Sequence, residues 1–136
     1  MARILLIIGA SIFGILGVIH LLYTFFTNKF EAYDSAVTKA MKGTSPILTK
    51  ETSIWDAWVG FNASHSLGAM LVAAVYIPLS LFYFSVIQQS VWFAFLPVLV
   101  GLSYLVLAKK YWFRIPFFGV LFATLCFIGA ALLIKT

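Results

Sequence analysis

Acidic residues are the scarcest feature of this 136-residue chain: four of them, Glu31, Asp34, Glu51 and Asp56, stand against nine lysines and arginines. All four lie in or beside one loop. No later stretch supplies the buried acid that proton-coupled pumps and transporters use as a relay, so that class is disfavoured. Cysteine is almost missing as well. Cys126 has no partner within the chain, which excludes a disulfide-stapled secreted domain. No glycine-rich phosphate loop, paired CxxC or basic helix interleaved with aromatics occurs, and nothing calls for nucleic acid as a partner. Charged residues make up 10% of the chain, where soluble domains carry about a quarter. A soluble enzyme and a disordered tail are excluded on the same ground.

What is present is apolar: 63% hydrophobic and 18% aromatic residues, gathered into four long runs. Ile4 to Phe26 has 23 residues without a charge, about 34 Å as a helix against a hydrocarbon core of about 30 Å. A cleaved signal peptide would have an apolar core of about 7 to 15 residues and a small-x-small site after it, so this run is expected to span. The second run covers residues 54–87, with Ser53 and Asp56 spaced as a capping box at its head. It is too long for one simple crossing, and either begins outside the hydrocarbon around Trp55 and Trp58 or kinks at Pro78. Gln88-Gln89-Ser90 separates it from the third run, 91–108, a gap short enough to force an antiparallel hairpin. Lys109, Lys110 and Arg114 mark an exit, and residues 115–134 return to Lys135. The expected fold is therefore all-α: one integral membrane domain over 1–136, a four-helix transmembrane bundle. Trp55, Trp58, Trp92, Tyr104, Tyr111 and Trp112 fall near the span ends, as interfacial aromatics do.

Residues 27–53 form the one long polar loop. Phe30, Tyr33, Val37, Ala40 and Met41 recur at helical spacing among lysines, with Gly43 and Pro46 as stop signals, which predicts a short amphipathic helix on the membrane surface. It serves either as a lid on the bundle or as a docking surface. The side of the membrane that holds the termini has two basic residues, Arg3 and Lys135, and the other has seven, so the positive-inside rule puts the termini outside. The same basic clusters attract anionic lipid headgroups.

Any chemistry must come from polar groups inside the apolar helices, where they are costly and tend to face a bundle interior. Asn62, His65 and Ser66 share a helix face, with Asp56 upstream; His20 shares one with Tyr23 and Thr24. His20 lies about 9 Å before the end of its run and His65 about 10 Å after Trp58. Because consecutive spans are antiparallel, both imidazoles come to the loop side of the membrane. Three readings stay open: a structural pair of neutral histidines, ligation of a haem or a metal by His20 and His65, and a polar ligand-binding site of His20, Tyr23, Asp56, Asn62, His65 and Ser66 for a lipid headgroup, quinone or other amphiphile. Gly60, Ser64 and Gly68, and likewise Ala10, Gly14 and Gly17, form small-residue rows that let helices approach closely, within one chain or between copies.

The stretch from Trp55 to Gly68, WDAWVGFNASHSLG, together with the histidine near the end of the first helix, resembles an uncharacterised group of small bacterial four-helix membrane proteins. The likeness is strongest from Gly17 to Gly68. It implies a four-helix fold and a multi-pass place in the cell membrane, the inner membrane of a bacterium, and no activity. Two functional classes follow. One is non-catalytic: an accessory subunit of a larger membrane complex, or a binder of lipid or another amphiphile. The other is a small redox or lipid-modifying enzyme using His20 and His65, whose near-neutral imidazoles suit ligation or proton transfer.

Overall fold

The computed structural model describes residues 1–135 and divides into two units, Gly17–Gly68 and a second that joins Met1–Leu16 to the chain from Ala69 onward. The described residues form helices α1 (Ala2–Phe26), α2 (Ser35–Gly43), α3 (Ile54–Phe82), α4 (Phe84–Gln89), α5 (Val91–Tyr111) and α6 (Arg114–Lys135), with no strand among them. Four of these, α1, α3, α5 and α6, are long and apolar enough to cross a membrane. The protein is an all-α, multi-pass membrane protein built as a four-helix transmembrane bundle.

The second apolar run departs from the expected 54–87. At 29 residues, α3 is about 44 Å long and overreaches a core of about 30 Å. Its first turns, with Trp55 and Trp58, are the natural part to stand outside the hydrocarbon. The helix continues through Pro78 and stops at Phe82; Tyr83, at φ −131° and ψ 36°, leaves the helical region before α4 begins. That break puts residues 84–87 of the run into a separate six-residue helix, α4, which also takes in Gln88 and Gln89 of the expected gap and buries Ile87 completely. The surface helix is also shorter than its periodicity suggests. Asp34 takes the N-cap position and its side chain accepts from the Ala36 amide at 2.9 Å, so Phe30 and Tyr33 precede α2 instead of belonging to it.

In the unit formed by Met1–Leu16 and the chain from Ala69, small residues set the helix spacing. A Cβ on Gly14 would stand 2.8 Å from that of Ala73, and one on Gly101 2.7 Å from Thr124 Oγ1. Phe13 and Phe127, both buried, fill the space left, with ring centroids 5.8 Å apart and Tyr104 edge-on to Phe13 at 5.3 Å. Of the two small-residue rows, the one through Ala10 and Gly14 is packed. The Gly60–Ser64–Gly68 row is exposed, with nothing within 4 Å of a Cβ built on Gly60.

Ser80, fully buried, has no hydrogen-bond partner for its hydroxyl among the described residues. An unmade hydrogen bond in an apolar setting costs about 1 to 3 kcal/mol. Ser80→Ala, nearly the same size, is therefore expected to stabilise the protein by about 1 kcal/mol, read as a higher unfolding midpoint in detergent.

Candidate polar site at His20 and His65

The site lies within the Gly17–Gly68 unit and begins where α1 ends. Thr24 and Thr27 turn their hydroxyls back to the carbonyls of His20 (2.8 Å) and Tyr23 (2.9 Å), the second of these an acceptor that the end of the helix leaves open. The loop then doubles over. Phe30 lays its ring on the His20 imidazole, centroids 4.6 Å apart, and its carbonyl accepts from Trp58 Nε1 at 3.1 Å. Farther along, Ala32 N–H donates to the buried Thr38 hydroxyl at 3.0 Å, Lys42 lies 4.0 Å from Glu31 and over the Trp55 ring at 4.8 Å, and Ile54 N–H donates to Thr44 O at 2.9 Å. These ties hold residues 27–53 against the start of α3.

On α3 the head of the helix is capped: Asp56 N–H donates to Ser53 Oγ at 3.0 Å, and Ser53 Oγ donates to Asp56 Oδ2 at 2.6 Å. One turn in, a row at i, i+4 and i+8 carries the site. Asn62 Nδ2 donates to Trp58 O at 2.8 Å, and Ser66 Oγ donates to Asn62 O at 2.9 Å. With its amide nitrogen committed, Asn62 presents Oδ1 to His20 Nε2, 3.0 Å away. His20 Nε2–H is then the donor, which places the neutral ring in the Nε2–H tautomer and leaves Nδ1 as an acceptor. His65 stands beside it edge to face, ring centroids 5.3 Å apart.

The six residues expected from sequence thus separate. His20, Asn62 and His65 come together. Ser66 is buried but turns its hydroxyl onto its own helix. Tyr23 is 44% exposed and enters the described bonds through its carbonyl only, and Asp56 is exposed and occupied as a cap. Phe30 and Trp58 were missed. Trp58 lies four residues before Asn62, on the same helix face, and that spacing was the signal that could have found it; Phe30 has none, since its place depends on the loop's path.

As a haem cradle the pair is poorly disposed: the two rings meet edge to face in direct contact, leaving no slot for a flat macrocycle, and His20 Nε2 is engaged by Asn62. Among the described residues no group of three or more His, Cys, Asp or Glu is placed to hold a metal ion. What the arrangement offers is hydrogen bonding to an uncharged group under an aromatic cover. No family model, curated protein or solved structure matches this chain.

Proposed function

We propose that this protein is a non-catalytic membrane protein that binds an amphiphile whose uncharged, hydroxyl-bearing head rests against His20 and His65. The observation that carries the reading is the Trp58–Asn62–His20 hydrogen-bond chain, which fixes one imidazole so that Nδ1 accepts. A hydroxyl head donates to such a nitrogen. A phosphate or carboxylate head finds no cation in this cluster. The apolar tail lies along the spans, and residues 27–53, with Phe30 on His20, form a lid that must lift to admit the head. The membrane is the inner membrane of a bacterium, with both termini outside by the count of basic residues, and the likeness to small four-helix membrane proteins accords with that place.

Monomyristoylglycerol tests this directly. Native mass spectrometry of the detergent-purified protein should show one molecule retained, in preference to methyl myristate, which has the same acyl chain and no hydroxyl. Equal retention of the two would contradict the proposal. Because an aromatic pair contributes about 0.5 to 1.5 kcal/mol, Phe30→Ala should tighten monomyristoylglycerol binding by roughly 2- to 12-fold as the cover is removed. Weaker binding would make Phe30 a wall of the site and not its lid.

The exposed Gly60–Ser64–Gly68 row favours a second role beside the first. Small residues on a lipid-facing surface accept another membrane helix closely, either from a second copy or from a larger complex to which this chain is an accessory subunit.

A further inference from the structure

The turn between α5 and α6 sets two cations beside an apolar groove. The unit formed by Met1–Leu16 and the chain from Ala69 contains five basic residues, Arg3, Lys109, Lys110, Arg114 and Lys135, and no acidic one, because all four acids of the chain fall between Glu31 and Asp56. Three of the five have partners inside the unit. Arg3 lies over the Phe84 ring at 4.9 Å, Lys110 over Tyr111 at 5.0 Å, and Lys135 Nζ donates to Gln88 O at 3.2 Å. Lys109 and Arg114 have none among the described residues, and they flank a groove of about 260 Å³ walled by Trp112, Phe113, Phe117 and Phe118.

Helix electrostatics account for only half of this. Lys109, in the last turn of α5, complements the carbonyl end of its helix. Arg114 opens α6, the end where the helix dipole disfavours a cation. Its charge therefore calls for an anion from outside the unit. The turn joins two membrane-spanning helices, so it lies at the headgroup level, and the groove beside the two cations is apolar with Phe113 69% and Phe118 60% exposed. A cationic rim on an exposed aromatic trough complements a molecule with an anionic head and an acyl tail.

We propose that Lys109 and Arg114 bind the phosphate of an anionic phospholipid, whose acyl chain lies along Phe117 and Phe118. The site is independent of the His20 cluster, which holds no cation and takes an uncharged head. Its test uses the full chain in neutral detergent with dioleoylphosphatidylglycerol or dioleoylphosphatidylcholine, read by native mass spectrometry. The phosphatidylglycerol should be retained preferentially. Lys109→Gln with Arg114→Gln should weaken it about thirty-fold, the factor expected for two headgroup-facing cations, while Arg3→Gln leaves it unchanged. Both substituted side chains are exposed, and circular dichroism should show an unaltered helical spectrum. Equal retention of the two lipids, a preference that survives the double substitution, or displacement of the lipid by inorganic phosphate or by an acidic peptide at equal concentration would each overturn the proposal.

Discussion

His20→Ala is expected to weaken monomyristoylglycerol binding by roughly 5- to 150-fold. The substitution removes the accepting Nδ1 and also strands Asn62 Oδ1, an amide oxygen on a residue only 9% exposed. Stranding Asn62 lowers stability with or without the lipid; the affinity falls because the buried hydroxyl of the head loses its acceptor, which costs about 1 to 3 kcal/mol, and that range sets the factor. His20→Gln, which keeps a donor for Asn62 and a carbonyl acceptor, should recover most of the affinity. Tyr23→Phe should change it by less than about twofold, since the Tyr23 ring is not part of the cluster; a difference between these variants separates loss of the site from loss of the fold. Equilibrium titration in detergent, with circular dichroism on each variant, makes the comparison. If His20→Ala bound as tightly as the parent, the imidazole would be a packing element and the proposed site would fail.

The second large effect concerns stability. A Cβ added at Gly9 would lie 2.6 Å from Phe127 Cε1 and 3.1 Å from the backbone oxygen of Ala123. Phe127 is fully buried against Phe13 and has nowhere to swing, and a backbone oxygen cannot yield as a side chain does. Overpacking of this kind costs about 1 to 3 kcal/mol for a small addition. Gly9→Ala should lie in that range and Gly9→Val at or above its upper end, measured as the shift in the dodecyl sulfate fraction that unfolds the protein from mixed micelles. Phe127→Leu shortens the obstructing ring, so combining it with Gly9→Ala should recover part of the loss. A coupling of about 0.5 to 3 kcal/mol in the double-mutant cycle is the expected sign of contact; strict additivity would mean that α1 and α6 do not meet there.

The transmembrane helices were legible because hydropathy over twenty residues needs no tertiary partner to be read. Helix ends were less so. Tyr83 is neither glycine nor proline, and nothing in its neighbours announces a break; α3 stops there in a fold that buries Ile87. Phe30 shares a helical period with Val37, and local capping by Asp34 overrides that period. The depth match of His20 and His65 followed from antiparallel spans, whereas the 5.3 Å ring separation and the choice of tautomer depend on helix rotation and on what Asn62 does with its nitrogen. The capping box at Ser53 and Asp56 was legible, yet by sequence Asp56 also counts in the polar site; its carboxylate is occupied by the Ser53 hydroxyl at the helix head. Two small-residue rows of similar spacing look alike on paper; only packing distinguishes Gly14, pressed on Ala73, from Gly60, which faces open space.

Photolabelling tests the central claim most directly. A monoacylglycerol carrying a diazirine beside its glycerol, irradiated with the purified protein and mapped by peptide mass spectrometry, should mark the stretches 17–30 and 55–68, and excess monomyristoylglycerol should suppress the labelling. Label spread evenly over the lipid-facing sides of α5 and α6, or label in 17–30 and 55–68 that the unlabelled lipid fails to suppress, would contradict a headgroup site at His20 and His65.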